Sequence, residues 1–391
     1  MTDSGHNPVS GELPMGDAER SANNRVPDDA VYWLALPRLP GIGRATFLRL
    51  LHAYQSPKVA WADSDAVWLE AKLIRAGTVT DAHRSEALSW ATEQVAKLRA
   101  SEWSCYVYGG DGYPASLASL HDPPPYIFVR GRIPDQPAIA IVGSRQSTTY
   151  GISATERIAS ELAAHGVCIV SGFARGIDTA AHKAALDAGG TTIAVWGCGP
   201  DFVYPRENKA LVAPIAERGA IITEFPFGAA PEARNFPVRN RMIAGLSSGV
   251  LVAQAQSRSG ALLTAQHALD QGKEVYAIPG EIGRPHSEGV NELLKSGAKM
   301  VTTAADILSD LGLRVSISSP IHPKRDHSLL LPKLTPVETR LWEGLGGSPC
   351  HLDRLAVSLN MSAAECAAVL LTLQLKGVVK QEAGNMFSRI V

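Results

Sequence analysis

The chain has 391 residues, and its 37 Lys and Arg residues nearly balance its 38 Asp and Glu residues. At about 150 residues per domain this length suggests two or three domains, and the near-neutral charge excludes nucleic-acid binding through overall positive charge, so any such contact needs a local basic patch. No run reaches the roughly 18 apolar residues of a membrane span, and the N-terminus lacks a basic segment followed by an apolar one, so we expect a cytoplasmic protein without a membrane partner.

The N-terminal part is predicted to hold a disordered leader and a helical domain. Residues 1–28 are rich in Gly, Pro, Asn and Asp, a composition that buries too little apolar surface to fold. Residues 29–102 predict helices, with a Pro-Gly-Ile-Gly turn at 40–43 before the amphipathic segment Arg44–Tyr54. This turn resembles the helix-hairpin-helix motif, whose loop amides bind DNA phosphate. A plain tight turn is the alternative, because only Arg38, Arg44 and Arg49 lie nearby and phosphate binding needs clustered charge.

Residues 103–312 predict an α/β domain built on an extended Rossmann-like parallel sheet. Two short apolar runs, at 105–108 and 126–129, are separated by prolines and predict an extended structural adapter at the entry to the sheet. From residue 139 onwards, short apolar runs alternate with amphipathic segments, the pattern of buried parallel strands joined by crossover helices. Such sheets bind ligands in the crevice beyond the carboxyl ends of their strands, so the loops after the strands form the candidate site.

The loops after these strands combine glycines and serines with a set of cations. The cations are Arg145, Arg175, Arg206, Lys209, Arg234, Arg239, Arg241 and Arg258. Gly and Ser let a phosphate approach the backbone closely, and Arg both binds phosphate in a bidentate manner and stacks on bases. A solvated charged face is the alternative, but this mixture of residues favours a nucleic-acid site.

Two predicted helix starts add detail to this site. The segment Phe236-Pro237-Val238-Arg239-Asn240-Arg241 supplies an aromatic ring, two arginines and an amide together, a combination suited to clamping a backbone and stacking on bases. Ser259 and Gly260 begin a further helix, whose free N–H groups are suited to an anion. A capping serine with a packing glycine is the alternative at that second position.

The sequence lacks the common catalytic and cofactor motifs. It contains no GxxxxGK[ST], no GxGxxG after a strand, and no HExxH or Cys/His ligand set, so we expect no cofactor, no metal site and no enzymatic activity. Asp178 and His182 lie one turn apart on a predicted helix and could share a face. No nucleophile accompanies them, which favours a structural pair over a catalytic one. The five cysteines have no metal-binding spacing, which favours free thiols.

The C-terminal part is predicted to hold a linker and a winged helix. Residues 313–333 are rich in Ser, Pro and His and predict the linker. Residues 334–391 predict three helices followed by a small hairpin. The candidate recognition helix at 362–375 contains no Lys or Arg, and the domain has as many acidic as basic residues. Because duplex DNA readout needs cations on that helix, a protein contact is favoured there.

Seven motifs in order carry a resemblance to a known family. They are GSR at 143–145, SGFARGIDTAAH at 171–182, TIAVWGCG at 192–199 followed by a YP pair, ITEFPFG at 222–228, and the run FPVRNRMIAGLSSGVLVAQAQSRSGALLTAQHAL at 236–269 followed by EVYAIPG at 274–280. This order resembles the DNA-processing protein A family, DprA or Smf, over about residues 113–308. Domains like the sterile-alpha-motif and winged-helix domains flank the core in some members.

The resemblance implies a dimeric, cytoplasmic protein that binds single-stranded DNA, protects incoming DNA and loads RecA recombinase onto it during natural transformation. By motif, the family's DNA-contacting arginine falls on Arg145, and its basic residue after the YP turn falls on Lys209 or Arg206. Arg175 occupies a variable place in its motif. The residues predicted to bind DNA are Gly143, Ser144, Arg145, Ser171, Gly172, Arg175, Gly176, Lys209, Phe236, Arg239, Asn240, Arg241, Ser259 and Gly260.

The alternative function is that of a nucleotide-binding enzyme. The same Rossmann-like lineage includes phosphoribohydrolases, which cleave nucleoside monophosphates and also bind phosphate at strand ends. Their PGGxGTxxE motif is not found here, because the segment Pro279-Gly280-Glu281-Ile282 departs from it after the first glycine. The single-stranded DNA hypothesis is therefore favoured.

Overall fold

A computed structural model describes residues 25–74, 79–313, 334–345, 349–382 and 384–389. Residues 1–24 of the predicted leader and residues 314–333 of the predicted linker lie outside these ranges. Among the described residues, no single helix is long and apolar enough to cross a membrane. One bent pair passes that test of length and composition when its two helices are taken together. These helices are Leu352–Leu359 and Ala363–Leu375, at 109° to each other.

The helical unit comprises α1 (Ala30–Ala35), α2 (Arg44–Tyr54), α3 (Pro57–Ala62), α4 (Asp65–Glu70) and α5 (Asp81–Arg99). Between α1 and α2 the chain turns tightly at Gly41, whose φ of 76° favours glycine. Trp33, Phe47 and Trp68 are buried at the centre of the unit. The helix predicted at Arg44–Tyr54 is confirmed with the same bounds.

The sheet has nine strands within the described part of the chain, in the order β1-β2-β6-β5-β4-β3-β7-β8-β9. Strands β3 to β9 run parallel to one another, and β2 is antiparallel to both β1 and β6. The predicted adapter therefore extends the parallel sheet as an antiparallel edge. The strands are β1 (Ser104–Val107), β2 (Tyr126–Gly131), β3 (Ala138–Gly143), β4 (Cys168–Ser171), β5 (Thr192–Val195), β6 (Ala220–Thr223), β7 (Gly249–Gln254), β8 (Glu274–Ala277) and β9 (Lys299–Met300).

Helices cover both faces of this sheet. They are α6 (Ala115–Ala118), α7 (Thr149–Ala164), α8 (Ile177–Asp187), α9 (Val212–Arg218), α10 (Asn235–Gly245), α11 (Gly260–Asp270), α12 (Pro285–Lys295) and α13 (Ala304–Asp310). Adjacent strand residues point to opposite faces, so Val142 packs in one core with Met242 of α10, and Ile141 in another with Ile158 of α7. This burial on both faces explains why the strands are almost uniformly apolar.

The order of the strands reverses beside β3. Strands β4, β5 and β6 are added one after another on one side of β3. The chain then returns and places β7 on the other side of β3. In open α/β sheets a crevice forms where the order reverses, at the carboxyl ends of the strands. The topology therefore points to the ends of β3 and β7 as the place for a site.

The helical unit packs against the sheet through a shared apolar cluster. Trp33 of α1 belongs to the same buried cluster as Trp103, which precedes β1, and Trp196, which follows β5. The rings of Trp103 and Trp196 lie 5.6 Å apart. This continuous core fixes α2, which begins at Arg44, close to the carboxyl end of β6.

The C-terminal unit contains α14 (Pro336–Gly344), β10 (Cys350–His351), α15 (Leu352–Leu359), α16 (Ala363–Leu375), β11 (Val379–Glu382) and β12 (Met386–Arg389). Its sheet has the order β10-β12-β11, so a short third strand joins the predicted hairpin. Helix α16 buries Cys366, Leu370 and Leu373 but leaves Leu371 and Leu375 exposed. These elements form the winged helix expected from the sequence.

Candidate nucleic-acid interface

A crevice of about 890 Å³ lies at the carboxyl ends of β3 and β7. The end of β3 contributes Gly143, the segment after it contributes Ser144 and Arg145, and the loop between β4 and α8 contributes Arg175. The starts of two helices complete the walls, with Phe236, Arg239 and Asn240 on α10 and Ser259, Gly260 and Thr264 at α11. The topology thus brings together residues from four separate loops, most of which the sequence predicts.

Arg145 and Phe236 form the most exposed cationic and aromatic pair in this crevice. The Arg145 guanidinium carbon lies 4.9 Å from the centroid of the Phe236 ring. On the same ring packs Tyr204, at 5.6 Å and with an angle of 36° between the planes. Tyr204 is 38% exposed and also lines the crevice. Such a surface offers a flat apolar platform beside a positive charge, which suits a base and its phosphate.

The backbone around Arg145 is fixed by close packing of two loops. Ser144 donates its N–H to the Gln254 carbonyl, and its own carbonyl accepts from the N–H of Ile177. A Cβ at Gly176, whose φ is 75°, would collide with the Ser144 carbonyl oxygen. Gly176 therefore serves the packing of α8 against the loop of Arg145, and it does not line the crevice.

Arg239 lies in the floor of the crevice and is only 3% exposed. Its Nη1 donates to the carbonyl of Gly172 at 2.5 Å and to that of Val195, so its hydrogen bonds are made within the protein. Burial lowers the pKa of Arg239 to about 10, which still leaves the guanidinium charged at neutral pH. Arg239 therefore joins the ends of β4 and β5 beneath the site through the carbonyls of Gly172 and Val195.

Asp178 lies next to this guanidinium and accepts the N–H groups of Gly172 at 3.1 Å and Ala174 at 3.2 Å. Burial raises the pKa of Asp178 above its usual value, and the charge of Arg239 opposes that rise. His182 does not pair with Asp178, because its Nδ1 contacts the Thr192 hydroxyl at 2.7 Å. The two residues predicted as a structural pair are thus both buried but have separate partners.

The rim carries fewer available cations than the sequence suggests. Arg175 pairs with Glu207 at 2.5 Å, and Arg234 pairs with Glu232 at 2.7 Å. The side chains that are exposed and form no ion pair with any described carboxylate are Arg145, Arg206, Lys209 and Arg258. Lys209 belongs to the 3₁₀ turn Arg206–Leu211 and does not line the crevice.

Arg241 is placed differently from the prediction. Its side chain is 7% exposed and its Nη2 contacts Glu224 Oε2 at 2.6 Å. The same oxygen contacts Arg44 of α2 at 2.9 Å, and Asp122 lies within 3.2 Å of Arg44 and 3.6 Å of Arg241. None of the residues of this four-residue ion cluster (Arg44, Asp122, Glu224 and Arg241) lines the crevice. The two-residue step from Arg239 to Arg241 is a rotation of about 200° around α10, which places the two arginines on different sides of the helix. Arg241 is therefore left out of the proposed DNA contacts.

Ser171 and Gly172 are also held by the protein. The Ser171 hydroxyl donates to the Ile141 carbonyl at 2.6 Å and is fully buried. A Cβ at Gly172 would lie 2.5 Å from Arg239 Nη1, so this glycine makes room for the buried guanidinium. Gly172 lines a small recess that adjoins the crevice, together with Arg145 and Phe236.

The start of α11 remains open towards the crevice. The Ser259 hydroxyl accepts the N–H of Ala261 at 3.3 Å, and Asn240 donates to the Gly260 carbonyl at 3.2 Å. Nothing lies within 4 Å of a Cβ placed on Gly260, so a ligand can approach the backbone there. Thr264, one turn further, is 1% exposed and lines the crevice.

The family model for DNA recombination-mediator protein A matches residues 104–312 of this sequence. That range covers more than half of the chain and contains every element of the crevice. The chain belongs to the DNA recombination-mediator protein A family. The model for the DprA winged helix domain matches residues 326–385, in agreement with the C-terminal fold.

Known members of the DNA recombination-mediator protein A family align over most of their length. Protein Smf of Escherichia coli is 40% identical over 283 residues, which cover 70% of this chain and 74% of that protein. DNA processing protein DprA of Streptococcus pneumoniae is 43% identical over 202 residues, covering 51% of this chain and 71% of that protein. The X-ray structure of the Streptococcus pneumoniae protein superposes with a TM-score of 0.62 and 33% identity, covering 73% of this chain and 98% of that one. The family resemblance seen in the motifs is thus confirmed.

Several residues of this family member line the crevice although the sequence did not predict them as DNA contacts. Tyr204, Gln256 and Thr264 are among them. Tyr204 belongs to the YP pair of the family motif, and that pair is the one signal that could have found it. Among the described residues, no group of three or more His, Cys, Asp or Glu side chains could hold a metal ion.

Proposed function

We propose that the crevice binds single-stranded DNA with little preference for sequence. The observation that carries this proposal is the stack of Tyr204, Phe236 and Arg145, in which two rings and a guanidinium share one wall of the crevice. Paired bases in a duplex hide their faces from such a wall, whereas an unpaired base can stack on it. Membership of a family of DNA-processing proteins supports the same conclusion.

Phosphate groups would be bound on both sides of the stack. Arg145 offers its guanidinium next to the Phe236 ring, and the start of α11 offers backbone N–H groups at the open Gly260. Arg239, buried in the floor beside Asp178, would hold the loops of the crevice in place without touching the strand. The exposed Arg206, Lys209 and Arg258 extend this positive rim, so we assign them to phosphates further along the strand.

The hydrolase alternative is not favoured. Cleavage of a nucleoside monophosphate would need a carboxylate free to act on the substrate. Asp178 already accepts two backbone N–H groups, and Glu224 is paired with Arg44 and Arg241. We therefore propose a protein that binds DNA without catalytic activity or a cofactor.

Helix α11 supports a proposed homodimer. Leu263 and Leu269 of this helix are 48% and 53% exposed, whereas Leu262 of α11 and Leu293 and Leu294 of α12 are partly buried against the sheet. A two-fold contact through α11 would place two crevices close together, so that one strand could occupy both with higher affinity. Light scattering at micromolar concentrations tests the dimer, and Leu269→Glu should shift the mass to that of a monomer.

The family resemblance also leads us to propose a cellular role. The bound strand would be protected and then passed to RecA recombinase during natural transformation, which requires both proteins in the cytoplasm. The test is RecA filament formation on strands already coated with single-strand-binding protein. Acceleration by the intact chain is expected, and an unchanged rate would leave the protein a DNA binder without a loading role.

Fluorescence anisotropy with a labelled oligonucleotide tests the binding function itself. A single strand of mixed sequence is expected to bind at least tenfold more tightly than the same sequence as a duplex. Equal affinities for the two forms would contradict the proposed stacking wall.

A further inference from the structure

We propose that Arg44 of the helical unit is a positioning residue for the crevice, acting through Glu224. Arg44 is the first residue of α2 and follows the tight turn considered from the sequence as a possible phosphate-binding loop. Its guanidinium is occupied within the protein, with Nη1 3.2 Å from Asp122 and Nη2 2.9 Å from Glu224. The inference rests on the proposed function of the crevice but concerns a residue outside it.

The other two arginines near this turn make contacts within the helical unit. Arg38 lies 4.5 Å above the ring of Trp90, and Arg49 donates to the Leu73 carbonyl at 3.0 Å and to the Thr46 hydroxyl at 3.0 Å. Two of these three arginines thus hydrogen-bond within the protein, and so few cations beside the turn favour the plain-turn alternative. What the turn does instead is place Arg44 at the sheet.

Glu224, which Arg44 contacts, lies at one end of a loop that lines the crevice. Glu224 directly follows β6 and immediately precedes the loop 225–234, which contributes Pro231 and Ala233 to the crevice lining. At the other end of this loop α10 begins, and it carries Phe236 and Arg239. A shift of Glu224 would thus be transmitted to the wall on which Arg145 stacks.

Arg44 and Arg241 bind the same oxygen of Glu224, at 2.9 Å and 2.6 Å. The Glu224 side chain is 6% exposed, and its second oxygen, Oε1, has no hydrogen-bond partner among the described residues. Because the Glu224 carboxylate is buried and only one of its oxygens has partners, its position depends on both guanidinium groups. Without Arg44, the Glu224 carboxylate would move towards water. The start of the loop 225–234 and of α10 would move with it.

Asp122 closes the cluster from the segment before β2. Its carboxylate lies 3.2 Å from Arg44, and its carbonyl accepts from Arg241 Nη1 at 2.9 Å. Four parts of the chain, the helical unit, the proline-rich adapter, the end of β6 and α10, therefore meet at four charged side chains. The planar guanidinium bridges two carboxylates at once, which the single ammonium of a lysine cannot reproduce with the same geometry.

The test compares Arg44→Ala with Arg49→Ala, a matched control on the same helix whose guanidinium contacts only its own unit. We expect Arg44→Ala to weaken binding of a 20-nucleotide single strand about fivefold, Arg44→Lys to weaken it less, and Arg49→Ala to change it less than twofold. The slope of log affinity against log salt should stay unchanged in all three, because no phosphate contact is lost. Hydrogen exchange in segment 225–245 should be faster in Arg44→Ala without DNA, and unchanged in Arg49→Ala.

Two results would overturn the proposal. Equal affinity and equal exchange in Arg44→Ala and Arg49→Ala would show that the cluster does not hold the crevice. A lower salt slope in Arg44→Ala would show that Arg44 contacts DNA directly. If Arg44→Ala does not fold, the affinity and hydrogen exchange of Arg44→Lys and Asp122→Asn are compared with those of Arg49→Ala instead. If the unchanged protein does not bind single strands, the proposed function fails, while the exchange comparison still decides the role of Arg44.

Discussion

The guanidinium of Arg145 lies 4.9 Å from the centre of the Phe236 ring, although the two residues are 91 positions apart in the sequence. One follows β3 and the other lies in the first turn of α10, and the reversal of strand order brings the two loops together. Arg145 also stays exposed and forms no ion pair with a described carboxylate. Its charge is therefore available to a ligand that lies against the ring.

Arg145→Ala is expected to weaken single-strand binding about tenfold and to lower the salt slope by about 0.7, the value for one phosphate contact on a single strand. Arg157→Ala is the matched control, because Arg157 lies on α7 and donates to the Thr302 carbonyl. Anisotropy titrations at four salt concentrations measure both quantities. An unchanged slope in Arg145→Ala would mean that this guanidinium does not contact phosphate.

Tyr204 is expected to contribute through its ring and not through its hydroxyl group. Tyr204→Ala should cost about 1 kcal/mol of binding free energy, the low end for loss of one stacked base, because the ring is 38% exposed. Tyr204→Phe should bind as the unchanged protein does, and neither variant should alter the salt slope. An equal loss in Tyr204→Phe and Tyr204→Ala would indicate a hydrogen bond in place of stacking.

Arg241→Ala is expected to destabilise the fold while leaving the salt slope of DNA binding unchanged. Arg241 and Glu224 are 7% and 6% exposed, and breaking such a buried ion pair costs about 3 kcal/mol of unfolding free energy. Urea denaturation measures this loss, with Arg175→Ala as the control, because the pair of Arg175 and Glu207 is exposed. A normal stability together with a reduced salt slope would restore Arg241 to the DNA contacts.

His182 should make the fold sensitive to mild acid. Burial lowers its pKa from 6.5 to about 3, with the charge of Arg239 adding to the shift. The unfolded chain binds a proton near pH 6.5 and the folded chain does not, so stability is complete above that pH and falls as the pH decreases. The loss is at most about 1.4 kcal/mol per pH unit below about pH 5.5.

Denaturation of the unchanged protein and of His182→Gln at pH 7 and pH 5 checks this prediction. Asp178 acts in the opposite sense, because its raised pKa favours folding at low pH, but it is present in both proteins and cancels in the comparison. The unchanged protein should lose more stability between the two pH values. The same loss in His182→Gln would place the acid-sensitive group elsewhere.

The location of the site could be predicted from the sequence because the strands have a simple signal. Continuous apolar runs such as 139–142 occur only where both sheet faces are covered, and parallel strands place their following loops at one edge. Gly143, Ser144, Arg145 and the start of α11 therefore lie where the pattern predicts them. The order of the strands, and hence the contact of Arg145 with Phe236, depends on long-range pairing that no local pattern records.

The roles of the arginines on α10 could not be predicted in the same way. Arg239 and Arg241 are two positions apart and look alike in sequence, but the helix turns one into the crevice floor and the other towards Glu224. Their roles depend on distant partners, the carbonyl of Val195 and the carboxylate of Glu224. Tyr204 was missed for a related reason, because it lies in an irregular loop whose position only the fold determines.

Photo-crosslinking tests the central claim most directly. A single strand containing 4-thiothymidine is bound to the full chain and irradiated, and the crosslinked peptides are identified by mass spectrometry. We expect the crosslinks to fall on the peptides that contain Tyr204 and Phe236, and to be lost from them in Tyr204→Ala. Crosslinks confined to the turn at 40–43 or to α16 would contradict the account, because the strand would then bind outside the crevice.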